Sequence, residues 1–275
     1  MKKTLILLVI IFSNYAFSQS GNWHLRADFI RDVGGKMEYK QEGNTKFTFY
    51  SDVDITERYS IIGKIHDYIK DNLRLIKESE LQDSIDIIIV RNRDDMTSFV
   101  GGPISGIAYT ATDEYIKQKT IICIGGKKNP LKHELMHIIS TSFWGVPIGR
   151  GLSWLEEGLA TFADPEAECD NYSFEEKYIY FIQNKKIIDA DSLINNFDNL
   201  HKKISYNQSG YIVEFLINNY GIEKLKEIWV NGMNNFEKVY NSTFKEVLER
   251  IRIELTQKYA EPIELDWSEF EKTCY

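Results

Sequence analysis

Two histidines and a glutamate lie close together in the segment 132–140, KHELMHIIS. His133 and His137 are four residues apart, and Glu134 directly follows the first of them. On a helix, positions i and i+4 lie on the same face, so the two imidazoles would point towards one position, as ligands of a divalent metal do. A glutamate beside such a site suits general-base chemistry. The segment therefore predicts a metal site with a proton acceptor next to it.

The residues before the motif indicate the start of a helix. Asn129 and Pro130 precede it directly. Asparagine is a preferred N-cap residue, and proline suits the first helical position because its missing amide hydrogen needs no partner there. We therefore expect the motif to open a helix whose core-facing stripe consists of Leu131, Leu135 and Ile138.

A five-residue motif also arises by chance, so the prediction of a metal site needs the support of a third ligand elsewhere in the chain. The segment 153–162, SWLEEGLATF, offers Glu156 and Glu157. Ser153 followed three residues later by Glu156 fits a capping box, in which the glutamate binds the N-cap amide. Glu157 is then the predicted third ligand. Three protein ligands leave one coordination position free, as in a catalytic zinc site.

These motifs resemble a known family. HELMH, followed after nineteen residues by Glu157 in WLEEGLA, resembles the gluzincin pattern of the peptidase MA clan. The later stretches YNQSGYIVEFLINNYG and FEKVYNSTFKEVLERI resemble helical segments of such domains, so the similarity spans about residues 85–255. The resemblance implies a thermolysin-like α+β fold, one zinc ion and hydrolysis of peptide bonds. The G-x-M-E-N motif of aminopeptidase-N-like enzymes has no clear counterpart.

The resemblance also implies roles for other residues. Glu134 would take a proton from the attacking water and pass it to the leaving amine. Related enzymes stabilise the negative charge of the intermediate with a tyrosine or histidine, for which Tyr206 is the first candidate and Tyr211 and His201 follow. The predicted strand 106–110, GIAYT, could pair with an extended substrate as a sheet edge or lie inside the sheet; the sequence leaves both open.

The remaining patterns predict an α+β protein with two regions. Up to about residue 128, strands alternate with helices in a mixed sheet lobe; from about residue 129, the helical lobe begins with the active-site helix. The predicted strands are 46–50, 85–90, 106–110 and 119–124, and the predicted helices include 57–76, 94–100, 153–162, 211–221 and 241–255.

The first residues have the layout of a secretory signal. Lys2 and Lys3 precede an apolar run over residues 5–12, which is too short to span a bilayer. We expect cleavage after Ser18 and export of a single catalytic domain, residues 19–275, to the periplasm or the medium.

The composition and net charge of the chain exclude some kinds of binding partner. The chain is 43% hydrophobic and has a net charge of −8, which suits a compact protein and disfavours binding to nucleic acid. No later segment is apolar enough to span a membrane. Cys123 is predicted to be a buried core thiol. The sequence does not decide whether Cys169 and Cys274 form a disulfide. The expected partner is a peptide or protein substrate, and the oligomeric state is not predicted.

Two other functions remain as alternatives. The chain could be a zinc-binding module of the same fold without activity, or a metal-dependent hydrolase of a non-peptide amide. Modules without activity commonly lose a ligand or the base, whereas His133, Glu134, His137 and Glu157 are all present here. A peptidase is therefore the leading hypothesis.

Overall fold

The computed structural model describes residues 37–50, 53–110, 118–126, 129–165 and 171–271. The expected signal peptide, residues 1–18, lies outside these residues, as do Cys169 and Cys274. Cys123 is described and is fully buried with a free thiol, as the sequence predicted.

The described strands form one mixed sheet of five strands in the order β1-β2-β3-β5-β4. β2, β3 and β5 run parallel, whereas β1 and β4 are antiparallel to their neighbours. The four predicted strands are all present, and the β-branched run of β3 lies at the centre of the sheet, where both faces are covered. The strands are β1 (Met37–Glu42), β2 (Thr45–Tyr50), β3 (Ile85–Val90), β4 (Gly106–Tyr109) and β5 (Lys119–Ile124).

Helices dominate the chain after β5, so the described fold is α+β, as predicted. Short 3-10 turns occur at Phe197–Asn199 and Met233–Asn235. The helices are α1 (Ile55–Leu75), α2 (Arg93–Val100), α3 (Leu131–Trp144), α4 (Ser153–Ala163), α5 (Phe174–Gln183), α6 (Ala190–Asn195), α7 (Lys202–Tyr220), α8 (Ile222–Asn231), α9 (Phe236–Tyr240), α10 (Phe244–Lys258) and α11 (Trp267–Glu271). None of these helices is both long and apolar enough to cross a membrane.

The helix predicted at 211–221 proves to be the second part of a longer one. α7 begins at Lys202 and ends before Gly221, which has a φ of +85° and terminates the helix as expected. Tyr206 therefore lies within the helix rather than ahead of it. The first turns of α7 were not predicted, because a search for periodic apolar residues does not detect buried residues that are polar. Asn207, Gln208 and Ser209 are polar and fully buried.

Helix α3 lies between two hydrophobic clusters. Leu131, Leu135 and Ile138 pack into the cluster beneath the sheet, as the predicted stripe required. Met136 and Ile139 pack into the second cluster, which the later helices build. The helix that carries the motif is thus buried on two sides.

Strand β4 is the edge of the described sheet next to α3. Gly106 is opposite Cys123, and the amide of Ile124 donates to the carbonyl of Ser105. Since hydrogen-bonded and non-hydrogen-bonded pairs alternate in an antiparallel ladder, the backbone groups of Gly106 and Ala108 point away from β5. Among the described strands, the one predicted at 106–110 is therefore an edge strand.

Helices α4 and α7 approach closely at Gly158. A Cβ atom built on Gly158 would lie 2.7 Å from the carbonyl oxygen of Ser209 and 2.9 Å from its carbonyl carbon. These are backbone atoms of a buried helix, so they cannot rotate away. Only glycine permits this spacing of α4 and α7.

We expect Gly158→Ala to destabilise the fold by about 1–3 kcal/mol, because overpacking forces two helix backbones apart. The measurement is thermal melting, in which each kcal/mol lowers Tm by about 2–4 °C for a chain of this size. Gly63→Ala is the matched control: Gly63 is an exposed residue of α1 with no atom within 4 Å of an added Cβ. Alanine there should raise Tm slightly. Equal melting of the two variants would contradict the close-packing argument.

Candidate metal centre

His133, His137 and Glu157 meet at one point between α3 and α4. The Nε2 atoms of the two histidines are 3.2 Å apart. Glu157 Oε2 lies 3.2 Å from His133 Nε2 and 3.6 Å from His137 Nε2. Ligands at about 2.0–2.1 Å from a tetrahedral zinc ion are separated by about 3.3 Å. The donor types and spacing fit such an ion, so this group could hold a metal.

The start of α3 differs by one residue from the expectation. Pro130 is the N-cap and Leu131 the first helical residue, so the assignment of Asn129 as N-cap was wrong. The Asn129 side chain nevertheless caps the helix, because its Oδ1 accepts from the Leu131 amide at 3.1 Å. Its Nδ2 also donates to the carbonyl of Gly126 at 3.0 Å, which ties the helix to the end of β5.

The capping box expected at Ser153 and Glu156 is not formed. The N-cap of α4 is Leu152, whose carbonyl accepts from the amides of Leu155 and Glu156, and no side chain caps this end. Ser153 already lies inside the helix, one residue too late for the box. The argument that gave Glu156 a capping task was therefore wrong, although the structure does place Glu157 with the two histidines.

Glu156 lines the cleft instead. It forms no hydrogen bond or ion pair with the described residues, and burial raises the pKa of its carboxyl group. The charge of the neighbouring Glu157 acts in the same direction, and that of His137 opposes it.

The three ligand side chains shift one another's pKa values. Burial alone would raise the pKa of Glu157, but the charge of His137 and the hydrogen bonds from both imidazoles outweigh it and hold this pKa well below its usual range. Burial alone would lower the pKa of His137, but Glu157 outweighs it and raises the pKa to about 9. Without a metal, a proton on His137 thus balances part of the carboxylate charge.

Glu134 lies beside this group but not in it. Glu134 is only 7% exposed. This burial raises the pKa of its carboxyl group, and the charges of His133 and His137 oppose that shift without cancelling it. Its carboxylate faces the same cleft as the three ligands. This is a suitable place for a proton acceptor.

Tyr206 also reaches the site. Its ring stacks on the imidazole of His133 with 6.2 Å between ring centres and 10° between planes. Burial, and then the charge of Glu157, raise the pKa of its phenol far above the usual range, so the hydroxyl keeps its proton. Of the three candidates for stabilising negative charge, it is the one that lines the cleft.

The other two candidates lie elsewhere. The Tyr211 hydroxyl donates to Glu175 at 3.4 Å, and its ring packs on Tyr178. His201 is half exposed and lies 3.5 Å from Glu271. The structure does not bring either residue to the cleft.

The cleft has a volume of about 740 Å³. β4 forms one wall, α3 and α4 carry the ligands, and the first turns of α7 form the opposite wall with Lys202, Lys203 and Tyr206. Ile104 and Val146 lie at its rim and are exposed. A cleft of this size is typical of a binding site, and most of the residues that line it are polar or charged.

Two residues of the site were missed from the sequence. Asp164, at the end of α4, accepts from the backbone amide of His133 at 3.2 Å and so joins the two ligand-bearing helices. It follows the last helical residue, where periodicity carries no information. Gly106 contacts Glu134. A glycine within a strand pattern signals close approach, and this signal was available.

The structure predicts different effects for the two adjacent glutamates. Glu157→Ala should reduce zinc affinity by more than about 100-fold, the upper end of losses caused by residues that only support a ligand. Glu156→Ala should keep the metal and, because no cap is lost, should not destabilise α4. The measurement is zinc stoichiometry together with melting in chelator, which removes the stabilisation by bound metal. Metal loss in Glu156→Ala with retention in Glu157→Ala would contradict the geometry.

The comparisons with known proteins agree with the resemblance noted from the motifs. A family model described as the peptidase MA superfamily matches residues 71–248, which include α3, α4 and α7. No curated protein matches the chain. Because the family model covers well over half of the chain, the protein belongs to the peptidase MA superfamily.

Proposed function

We propose that this protein is an exported zinc-dependent peptidase. The observation that carries the proposal is the placement of a two-histidine, one-carboxylate group beside Glu134 in a cleft. One wall of this cleft is the side of β4 with which no described strand pairs. The family match supports peptidase chemistry in general. The arrangement of sheet, ligand helices and later helices is, in this proposal, thermolysin-like.

Zinc is the metal we propose for the group. Peptidases of this superfamily generally depend on zinc, and two imidazole nitrogens with one carboxylate oxygen suit it. His133, His137 and Glu157 would hold a single ion. A zinc ion with a free coordination position supplies Lewis acidity, which polarises a carbonyl and acidifies water.

The substrate backbone would lie along β4. The amide and carbonyl groups of Gly106 and Ala108 point away from β5, on the side of the cleft. An extended peptide can pair with such an edge by main-chain hydrogen bonds, which hold it regardless of its side chains. This pairing would lay a peptide bond alongside the motif helix α3.

Glu134 would move the proton. Its carboxylate is next to the ligand histidines but is not one of the three donors, so it remains available to accept a proton from the attacking water. It would then deliver that proton to the nitrogen of the departing amine.

Tyr206 would stabilise the negative charge that develops on the carbonyl oxygen. Its hydroxyl stays protonated at all ordinary pH values, so it can donate a hydrogen bond to an oxyanion. The stacking of its ring on His133 and its place on the long helix α7 would fix the direction of that bond in advance.

The presence of the base separates this proposal from a module without activity. A module needs ligands but no buried carboxylate beside them. Hydrolysis of a non-peptide amide would use the same residues, so the free edge of β4, which suits an extended peptide, is the feature that favours a peptide.

The proposal is tested with zinc-loaded residues 19–275 and a mixed peptide library read by mass spectrometry. We expect cleavage that a chelator abolishes and zinc restores. Glu134→Gln is the matched control, since it should keep zinc but lose about 100-fold or more in turnover. Binding of zinc without cleavage by the wild-type protein would reject the peptidase, and full activity of Glu134→Gln would remove this residue from the reaction.

Tyr206→Phe tests the oxyanion role. Loss of the hydroxyl should lower kcat by about 100-fold to 1000-fold and leave KM little changed, because the bond forms only as charge develops. Steady-state kinetics on one peptide from the library measure both constants. Tyr211→Phe is the control, since its hydroxyl lies outside the cleft and its loss should not alter kcat. An unchanged kcat in Tyr206→Phe would exclude the phenol as donor.

A further inference from the structure

The carboxylate of Glu134 is positioned without hydrogen bonds. In the described part of the chain, no side chain or backbone group donates to it, although it is almost fully buried. A general base must be held within a fraction of an ångström of its productive position. Since no donor among the described residues holds Glu134, the packing around it and the charges of His133 and His137 set where the carboxylate lies.

The packing contact is with Gly106 of the edge strand. A Cβ atom built on Gly106 would lie 2.6 Å from Glu134 Oε1 and 3.0 Å from Glu134 Cγ. The same atom would lie 2.8 Å from Cγ of Pro130. The space that a side chain at position 106 would occupy is thus already filled by the glutamate and the proline ring.

The two neighbours differ in how easily they move. Pro130 is buried at the start of α3, and its ring is rigid. The end of the Glu134 side chain can rotate into the cleft, which is the cheapest way to relieve the overlap. A methyl group at position 106 would therefore rotate the carboxylate away, whereas its overlap with the Pro130 ring would be relieved only by a small shift of β4 or of the start of α3.

The other side of Gly106 faces the cleft. Its amide and carbonyl groups point away from β5, where the proposed substrate would pair, while its α-carbon lies against the base. One residue would thus contact both the general base and the backbone of the proposed substrate. The distance between the substrate backbone and the carboxylate depends on this residue having no side chain.

We infer that Gly106 is a positioning residue, whose missing side chain places the Glu134 carboxylate for proton transfer. The inference rests on the proposed function. It assigns to the glycine a role in chemistry, because its φ lies outside the left-handed region and the backbone angle alone does not require glycine.

The test is Gly106→Ala with Gly102→Ala as matched control. Gly102 lies in the loop before β4, outside the cleft lining, and an added Cβ there has no atom within 4 Å. In Gly106→Ala, kcat should fall by about 10-fold to 100-fold, because a displacement near 1 Å has effects of this size. Zinc stoichiometry should stay close to that of the wild type, Tm should fall by only a few degrees because the Pro130 ring must be accommodated, and Gly102→Ala should match the wild type throughout. Unchanged kcat, or failure of Gly106→Ala to fold, would overturn the inference.

A second comparison separates an effect on the base from an effect on substrate pairing. A peptide cleaved by the wild type is titrated, by fluorescence anisotropy, into zinc-loaded Glu134→Gln and into the double variant with Gly106→Ala. Equal affinities, within about twofold, support action through the base. A loss of affinity as large as the loss of activity would show that position 106 acts on substrate pairing and would overturn the inference.

Crystal structures of the wild type and Gly106→Ala decide the matter independently of activity. We expect the Glu134 carboxylate to be rotated in the variant, with His133 and His137 still side by side; an unmoved carboxylate would overturn the inference. If the wild type cleaves no peptide, the proposed function fails, and the two structures still show whether Gly106 positions Glu134.

Discussion

The burial of helix α3 on two sides is the constraint on which the candidate site depends. Leu135 and its neighbours pack beneath the sheet, and Met136 and Ile139 pack into the later helices. All three of these side chains are fully buried, so the helix cannot rotate about its axis without opening one of the two clusters. The face that remains carries His133, Glu134 and His137, and its direction is therefore set by hydrophobic packing.

The ligand group and the two glutamates beside it bring three carboxyl groups and only two imidazoles into a shielded place. Glu134, Glu156 and Glu157 surround two imidazoles, and burial raises the pKa of the first two carboxyl groups. Burying like charges together is unfavourable unless a cation or protons compensate them. In the absence of metal, a proton on His137 supplies part of this compensation. A divalent cation would supply it without protonating a ligand, so the charge balance and the donor geometry point to the same occupant.

The sequence predicted those features that local patterns encode. The β-branched run of β3, the i and i+4 histidines and the apolar stripe of α3 each occupy one element, and the structure has them where they were expected. The start of α4 was mispredicted, because the choice of Leu152 over Ser153 as N-cap depends on how the helix packs and not on the best capping side chain. Asp164 and the neighbours of Gly106 could not be assigned, because both contacts join residues that are distant in the chain.

Two glycines set the distances in this site, and they differ in what lies against them. Gly158 faces the backbone of Ser209, so its contact fixes the spacing of α4 and α7 and with it the places of Glu157 and Tyr206. Gly106 faces the end of the flexible Glu134 side chain as well as the Pro130 ring, and in our inference this contact sets the position of one carboxylate. A backbone that cannot yield makes the first contact a condition for the fold. A side chain that can yield makes the second a condition for the chemistry, because the protein would survive the movement while the proton acceptor would leave its place.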